Sequence, residues 1–366
     1  MSFLRQFDDI NKDMWQILSE SSCKRPIVLY GMGDGAEKII DILSGKGIKV
    51  DAIFASDSFV RKKLFRNYSI EYYTDVKSRL ENFTVLVSFG TNRSEVIENI
   101  IKISRENELY APDVPVFGKG LFDMEYFKSN FSRLEYIYNR LSDDISKKTF
   151  VCSIKYRLTG KISYLFEGET DVSESYNKIF RPFPESTYID VGAYNGDTIS
   201  EFTNYSGKDV SVYALEPDKR NFKKLSLFAE TCGIKNIKLY NFAAWKNSGD
   251  ISFYSRSGRN SANSSAHFGV KEQTVPAIDI DSITDYADFI KIDAEGAEKE
   301  VIAGAENIIR SSSMQPSLKI AAYHRTEDYF AIPEQVLNIR DDYDLYFRHF
   351  RYIPCWDTNF YFIKRS

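Results

Sequence analysis

Short apolar runs alternate with amphipathic segments in the first third of the chain. The run IVLY (27–30) is followed by a glycine loop, GMGDGA, and by EKIIDILSGKG, whose apolar residues have helical spacing. Apolar runs recur in KVDAIFAS (49–56) and TVLVSFG (84–90), and NRSEVIENIIKIS has the pattern of another helix. Because strands that alternate with helices form parallel sheets, the pattern predicts an α/β unit over residues 1–120.

Two further segments have apolar residues at helical spacing without neighbouring strands. In the first, at the N-terminus, they are Phe3, Phe7, Ile10, Met14 and Ile17, which predicts one amphipathic helix. In the second, residues 121–185, they include Phe127, Phe131, Leu134, Ile137, Tyr138 and Leu141. Because this second segment has no tract rich in Gly, Ser or Pro, we predict a helical connector rather than a flexible linker.

Strand patterns return after residue 186. Five runs that alternate with helical segments predict strands: TYIDV (187–191), VSVYALE (210–216), IKLYNFAAW (237–245), ADFIKID (287–293) and SLKIAAY (317–323). The last two runs, LYFRHF (345–350) and NFYFIK (359–364), have no helix between them and predict an antiparallel pair. We therefore predict an α/β protein with two Rossmann-like units joined by a helical connector, and with domains at 1–120, 121–185 and 186–366.

Composition is that of an ordinary globular protein. The 366 residues exceed what one hydrophobic core usually holds, and 43% of them are apolar. The net charge of −4 argues against a nucleic-acid partner, because proteins that grip phosphate backbones are basic. No apolar run is long enough to predict a membrane span. The 27 Phe and 24 Tyr predict well-filled cores or, alternatively, aromatic walls for a sugar or nucleotide.

The cysteines indicate a reducing compartment. They are scattered and lack CxxC spacing or clustered histidines, so they predict no metal site: Cys23, Cys152, Cys232 and Cys355. Free thiols suit the cytosol, and the N-terminal residues lack the apolar core of a signal peptide. We therefore expect a cytoplasmic location.

The first glycine loop fits a nucleotide-binding pattern in part. Gly31, Gly33 and Ala36 match GxGxx(G/A) between a strand and a helix. Asp57 stands near the end of the next strand, where an acid would hold a ribose. Asp34, inside the loop, would repel a phosphate. The glycines therefore either bind a nucleotide or nucleotide sugar, or only let the helix pack close to the strand.

The second glycine loop, in YIDVGAYNGDT, predicts a site for a nucleoside without a pyrophosphate. Its acidic and small residues are Asp190, Gly192, Gly196 and Asp197. Glu216 ends the next strand, and a carboxylate there can accept both hydroxyls of a ribose. Acidic residues near the turn would attract a cationic ligand, so the pattern favours S-adenosylmethionine. Ala243 and Ala244 leave room for an adenine ring, although core packing explains them equally well.

Further polar residues follow the two strands at 287–293 and 317–323. Asp293 and Glu295 could orient an acceptor hydroxyl, take its proton or hold a divalent cation. Glu298 and Glu300 fall in the first turn of a helix, where acidic residues are favourable in any case. His324 should emerge at the same edge of the sheet, either as a base that titrates near neutral pH or as a polar loop residue.

The second half of the chain resembles the FkbM-type S-adenosylmethionine-dependent methyltransferases. The stretches YIDVGAYNGDT, YALEPD, FIKIDAEGAE and AYHRTEDYFAIPE occur in the order of that family, and RHF followed by DTNFYF resembles the closing strands of one branch. The resemblance runs from about residue 140 and includes KYRLTGK (155–161). One departure is Ala294 in the position before Glu295, where the family commonly has Ile or Val. The first half resembles, over a shorter stretch, the Rossmann-like domains that often precede such methyltransferases.

The resemblance implies a class I methyltransferase fold and O-methylation of a sugar, a polysaccharide precursor or a glycosylated metabolite. Asp190, Gly192 and Gly196 would cradle the cofactor, S-adenosylmethionine, and Glu216 would bind its ribose. The residues near the transferred methyl would be Asp293, Glu295 and His324, with His324 or Asp293 as the base.

Two alternatives and one question of assembly stay open in the sequence. The chain could be a nucleotide- or nucleotide-sugar-binding protein, or an NAD(P)-dependent oxidoreductase that uses the first glycine loop. The aromatic connector could be an interface of a homo-oligomer or a surface buried between domains.

Overall fold

The N-terminal apolar runs form a five-stranded sheet in the computed structural model, which describes residues 2–21, 25–56, 64–118, 120–255, 271–311 and 315–365. Its strands are β1 (Ile27–Tyr30), β2 (Ala52–Phe54), β3 (Ile70–Glu71), β4 (Thr84–Val87) and β5 (Glu108–Tyr110). All neighbours are parallel, in the order β3-β2-β1-β4-β5. The helices of this part are α1 (Met14–Ser21), α2 (Asp34–Gly45), α3 (Tyr73–Arg79) and α4 (Ser94–Glu106). The prediction of an α/β fold with a parallel sheet is confirmed, although β3 and β5 are too short to have been predicted.

The prediction of one amphipathic N-terminal helix is wrong. The chain forms a 3-10 turn, Leu4–Phe7, and α1 begins only at Met14. Asp13 separates the two, because one oxygen of its side chain accepts from the backbone N–H of Gln16 at 2.9 Å. The other oxygen accepts from the N–H of Met124 at 3.0 Å. The apolar residues on the two sides of Asp13 therefore pack into different cores.

Residues 121–185 are largely helical. The helices are α5 (Met124–Ser129), α6 (Phe131–Arg140), α7 (Asp144–Thr159), α8 (Ile162–Gly168) and α9 (Val172–Glu174), which continues into a π-helical turn, Ser175–Phe180. Arg157 of α7 is buried and pairs with Asp113 at 2.7 Å, and its guanidinium lies over the rings of Phe122 and Tyr329. This one side chain therefore contacts residues from all three parts of the chain.

Ten strands follow in the part of the chain that the structure describes. They are β6 (Thr187–Val191), β7 (Ser211–Leu215), β8 (Asn236–Tyr240), β9 (Ala243–Ala244), β10 (Gly249–Ser255), β11 (Lys271–Ile278), β12 (Phe289–Ile292), β13 (Ser317–Ala321), β14 (Tyr343–His349) and β15 (Thr358–Lys364). Seven form one sheet in the order β14-β15-β13-β12-β6-β7-β8. β15 is antiparallel to both of its neighbours, and the other pairs are parallel. The helices are α10 (Asp197–Ser206), α11 (Lys219–Thr231), α12 (Glu298–Ala303), α13 (Glu306–Arg310) and α14 (Asp328–Ile339).

The predicted single strand at 237–245 is wrong, because two sheets share this segment. β8 belongs to the large sheet, whereas β9 joins β10 and β11 in a small three-stranded sheet that was not predicted. Asn241 lies between the two strands, and its side-chain amide donates to the carbonyls of Glu216 and Pro217 at 2.8 and 3.1 Å. These bonds hold the turn against the end of β7, at the point where the chain leaves the large sheet and enters the small one.

Buried hydrophobic residues from all three predicted parts of the chain pack into a common cluster. One cluster of buried residues includes Val85 of the first sheet, Phe150 of α7 and Ile290 of the large sheet. Within the described ranges, the cysteines Cys152, Cys232 and Cys355 have free thiols. The helices in those ranges include none that is long and apolar enough to cross a membrane.

Candidate functional site

A cavity of about 350 Å³ lies at the carboxyl edge of the large sheet, where β6, β7 and β12 end. Ligands of open parallel sheets bind at this edge, because the loops that follow neighbouring strands meet there. The predicted site residues that line the cavity are Gly192, Asp197, Glu216, Ala243, Asp293, Glu295 and His324. The structure therefore brings together the residues predicted for the cofactor and those predicted for the chemistry. Asp190 and Gly196 are not part of the lining.

Asp190 supports the glycine turn from behind. It is fully buried and pairs at 3.2 Å with Lys291, which lies beside it in register on β12. The Thr198 hydroxyl donates to the second oxygen of Asp190. The Lys291 ammonium also donates to the backbone carbonyls of Val191 and Gly192, at 3.2 and 2.9 Å. Lys291 was not predicted, although a lysine inside an apolar strand is the signal that could have identified it.

The two glycines of the turn have different packing reasons. Gly192 has a φ of 75°, and an added Cβ would overlap the backbone oxygen of Asp293, the residue that follows β12. Gly196 has a φ of 90° and precedes α10, and a Cβ there would overlap the ring of Phe228. The first glycine therefore brings β6 and β12 together at the cavity, whereas the second lets α11 approach the start of α10. Asp197, the first residue of α10, lines the cavity.

Glu216 is buried at the end of β7, with both oxygens anchored. One oxygen accepts from the N–H of Tyr194 at 3.0 Å, and the other from the N–H of Asp218 at 2.8 Å. Burial raises the pKa of Glu216 to about 7. A carboxylate has about four acceptor positions, so two hydroxyls of a ligand can still be bound. Ala243 and Ala244 lie on the adjacent wall of the same cavity.

Three carboxylates surround the imidazole of His324, which is only 1% exposed. Nδ1 lies 2.9 Å from Oε1 of Glu298. On the other side of the ring, Nε2 lies 3.5 Å from Oδ1 of Asp293 and 3.6 Å from Oε2 of Glu295. Burial disfavours the imidazolium, but the carboxylates outweigh it, Glu298 most of all, and raise the pKa of His324 to about 10. At neutral pH the ring is therefore an imidazolium, which has no free nitrogen to accept a proton and is a poor general base.

The carboxylates around His324 are themselves held in place. Oε1 of Glu298 accepts from the N–H groups of Ala294 and Gly296, at 2.9 and 3.2 Å. The Tyr323 hydroxyl lies 3.2 Å from each oxygen of Asp293 and donates to that carboxylate. Burial raises the pKa of Glu295, which lies in the left-handed backbone region with a φ of 51°. Glu298 does stabilise the start of a helix as the sequence suggested, but it also pairs with His324. Glu300 points away and pairs with Lys246 at the surface.

The outer wall of the cavity contains residues that sequence reasoning missed. Asn92 and Val116 come from the N-terminal half, and Tyr352, Trp356 and Asp357 come from the loop between β14 and β15. Thr91 and Ile353 exchange two backbone hydrogen bonds, at 2.7 and 2.9 Å, and so join these two segments. No local pattern predicts such pairing, because the two segments are separated by most of the chain.

Comparisons with known proteins assign a family to the part of the chain that supplies most of the residues of this cavity. Residues 190–353 match the family model described as the methyltransferase FkbM domain. The chain contains an FkbM methyltransferase domain. No curated protein matches the chain in sequence.

Solved structures also match this chain. The crystal structure of the methyltransferase FkbM from Methylobacillus flagellatus KT is similar over 99% of this chain and 98% of that chain. Its TM-score is 0.73 at 20% identity, which shows a shared fold. A more distant match is a putative rRNA-methylase from Clostridium thermocellum, with a TM-score of 0.34 and 12% identity over 53% of this chain and 94% of that chain.

The N-terminal glycine loop lies outside the FkbM domain, and packing accounts for much of its composition. A Cβ on Gly31 would overlap the ring of Phe89, and one on Gly35 would overlap the backbone oxygen of Ser88. Ala36 is fully buried against the sheet. These residues therefore let α2 approach β1 and β4 closely.

The rest of this loop borders a separate cavity of about 300 Å³. Gly33 has a φ of 119° and open space at its Cβ position. The Lys38 ammonium pairs with Asp34 at 2.9 Å and donates to the carbonyls of Pro115 and Val116. Asp57, the predicted ribose-binding acid, lies outside the described residues. A nucleotide at this loop stays a prediction.

Proposed function

We propose that the chain transfers the methyl group of S-adenosylmethionine to a hydroxyl oxygen of a carbohydrate or glycosylated small molecule. The observation that carries the proposal is the shared cavity of Glu216 and the His324 cluster at one edge of the FkbM domain. We also propose a class I methyltransferase fold for residues 186–366, in line with the strand order of the large sheet. On this basis residues 1–120 and 121–185 are a Rossmann-like domain and a connector.

The residues at the glycine turn fit the proposed cofactor. Glu216 has acceptor positions left for the two ribose hydroxyls, and Gly192 exposes backbone without a side chain. Ala243 and Ala244 provide a small, flat wall suited to an adenine ring. Carboxylates that line the cavity favour a ligand with a positive charge. When bound, S-adenosylmethionine supplies a methyl group on a positively charged sulfur.

Asp293 is the base that we propose, with His324 as its charged neighbour. The acceptor hydroxyl is a weak nucleophile until a base takes its proton, and a positioned base contributes roughly 10²–10⁴-fold to the rate. His324 is held in its protonated form by three carboxylates, so it cannot take that proton at neutral pH. The Asp293 side chain is 32% exposed and faces the cavity, where it can accept a proton from a bound hydroxyl.

The outer wall supports a carbohydrate acceptor. Tyr352 and Trp356 have ring centroids 5.7 Å apart and both line the cavity, as does the side chain of Asn92. Aromatic faces bind the apolar faces of sugars, and an amide can both donate to and accept from hydroxyls. Asn92 belongs to the N-terminal half, so that half would help to select the acceptor.

Calorimetry tests the cofactor first. We expect S-adenosylmethionine and S-adenosylhomocysteine to bind one per chain, and Glu216→Gln to weaken both by about tenfold or more. Glu300→Gln, on the surface of the same half, should bind like the unmodified protein. Affinity for NAD or nucleotide sugars without affinity for the two adenosyl-sulfur ligands would refute the proposed function.

Turnover tests the base. The assay follows radiolabelled methyl from S-adenosylmethionine into a panel of glycosides and nucleotide sugars. We expect Asp293→Asn to keep S-adenosylhomocysteine affinity but to lose roughly 10²-fold or more in turnover. If this variant retains full turnover, Asp293 is not the base.

A further inference from the structure

The cavity beside the N-terminal glycine loop adjoins the cavity that contains Asp293. The two have volumes of about 300 and 350 Å³, and Val116, Tyr352 and Trp356 line both of them. The smaller and the larger cavity therefore lie on two sides of the same three side chains. A ligand bound in the larger cavity can extend past these side chains into the smaller one.

The N-terminal half fixes the position of Trp356 between the two cavities. A Cβ on Gly90 would lie 2.2 Å from Cζ3 of the Trp356 ring, so the ring packs directly on the backbone at Gly90. The next residue, Thr91, exchanges backbone hydrogen bonds with Ile353, three residues before Trp356. Packing and hydrogen bonds thus hold the loop between β14 and β15 against the segment that follows β4.

The smaller cavity has a largely apolar lining. Besides the three shared side chains, its apolar residues include Met32, Ile39, Val87, Phe89, Val114 and Pro354. An apolar cavity of about 150 Å³ is large enough to bind a benzene ring. At about 300 Å³, the smaller cavity has room for a substituted or fused ring.

The charges beside the smaller cavity do not favour a phosphate. Among the described residues of its lining, Lys38 is the one cation. An ammonium group has three N–H donors. The Lys38 ammonium pairs with Asp34 at 2.9 Å and donates to the carbonyls of Pro115 and Val116 at 2.9 and 2.8 Å. These three contacts use all of its donors, and the Asp34 carboxylate neutralises its charge. An uncharged ring needs no such cation.

We propose that the acceptor is an uncharged glycoside whose sugar binds in the larger cavity and whose apolar, ring-shaped aglycone binds in the smaller one. The inference rests on the proposed function and names the class of its acceptor. The sugar then lies beside Asp293, and the aglycone contacts Phe89 and the side of Trp356 that faces the smaller cavity. Apolar pockets with few polar groups bind ligands of this kind. The N-terminal half would therefore select the aglycone.

Matched acceptors test the inference. The assay compares methyl, cyclohexyl and phenyl glycosides of the same set of sugars, together with nucleotide sugars, as acceptors of radiolabelled methyl. We expect kcat/KM to be roughly tenfold or more higher for the phenyl and cyclohexyl glycosides than for the methyl glycoside, because a ring removes more apolar surface from water. Equal values for the methyl and phenyl glycosides, or a preference for nucleotide sugars, would overturn the inference.

Two variants locate this preference in the smaller cavity. Val114 and Met32 are half-buried and line the smaller cavity but not the larger one. Val114→Phe fills part of the space, and Met32→Gln keeps the size of the side chain but makes it polar. We expect each to reduce the ratio of kcat/KM between the phenyl and methyl glycosides at least threefold. Val96→Phe, at a half-buried position of α4 that lines neither cavity, is the matched control and should leave the ratio unchanged.

A binding measurement separates this inference from the proposed function. Saturation-transfer nuclear magnetic resonance, on protein loaded with S-adenosylhomocysteine, detects contacts of the phenyl protons. We expect such contacts in the unmodified protein and in Val96→Phe, and weaker ones in Val114→Phe. Ring contacts without methyl transfer would contradict the proposed function but keep the aglycone site. Methyl transfer without ring contacts, or no ring contact for any phenyl glycoside, would overturn the aglycone site.

Discussion

The substitution Asp190→Asn is expected to destabilise the protein far more than removal of a surface charge. The amide would keep the size of the original side chain and an oxygen for the Thr198 hydroxyl, but not the negative charge. The Lys291 ammonium would then remain buried with only the carbonyls of Val191 and Gly192 as partners. The glycine turn at the cavity would at the same time lose the ion pair between Asp190 and Lys291 that lies behind it.

The magnitude follows from burial. The side chains of Lys291 and Asp190 are 6% and 0% exposed, and removing one partner of such a pair costs about 3–5 kcal/mol. The pair of Lys246 and Glu300 has a similar N–O distance of 3.2 Å, but its side chains are 52% and 36% exposed. Water screens this second pair, so its contribution is at most about 1 kcal/mol.

Urea unfolding at neutral pH, followed by circular dichroism and tryptophan fluorescence, measures both effects. We expect Asp190→Asn to lower the free energy of unfolding by several kcal/mol and Glu300→Gln to change it little. Adding Lys291→Met to Asp190→Asn removes the unpaired charge and should restore part of the loss. If Asp190→Asn costs no more than Glu300→Gln, or if the second substitution restores nothing, the reasoning from the buried ion pair is wrong.

Four further predictions concern three single sites. Burial raises the pKa of Glu216 to about 7, so the ionised fraction of Glu216 increases between about pH 6 and pH 8. The affinity for S-adenosylhomocysteine should therefore rise roughly tenfold over that interval in the unmodified protein, but not in Glu216→Gln. The same raised pKa means that the contribution of Glu216 to the free energy of unfolding is complete below its unfolded pKa of about 4.5 and is lost as the pH rises through about 7. Urea unfolding at several pH values, compared between the unmodified protein and Glu216→Gln, measures this loss. Gly192→Ala should abolish ligand binding and lower the free energy of unfolding by more than Gly207→Ala does. Both glycines have a positive φ, but only at Gly192 would the added Cβ overlap backbone atoms. Equal losses in the two variants would contradict this reasoning. Asp113→Asn leaves Arg157 buried without its carboxylate and should cost about 3–5 kcal/mol in urea unfolding, and a loss below about 1 kcal/mol would contradict that expectation.

Much of the candidate site follows from one rule about parallel sheets. Glu216, Asp293 and His324 each follow an apolar run, and the structure brings all three to one cavity because the carboxyl ends of parallel strands meet at one edge. The rule does not say which way a side chain turns at that edge. Asp190 was expected beside the ligand, but it lies behind the turn, where Lys291 in the neighbouring strand attracts it.

The role of His324 could not be derived from the sequence for an electrostatic reason. A histidine after a strand has an ordinary pKa near neutral pH until its neighbours are known. Three carboxylates outweigh the opposing effect of burial, raise the pKa of His324 and hold the ring in its charged form. Glu298 is distant from His324 in the chain, and the two meet only because β12 and β13, the strands before them, are neighbours in the large sheet.

The sequence by itself determined the local features of this protein. Apolar periodicity specified most of the strands and helices, and glycines marked turns, because side-chain alternation and backbone freedom act over a few residues. Only the tertiary structure decided the register of β6 beside β12, the division of 237–245 between two sheets, and the pairing of Thr91 with Ile353 at the cavity wall. Those features depend on the packing of distant segments, and the charge state of the site depends on the sum of all the groups that such packing brings near His324.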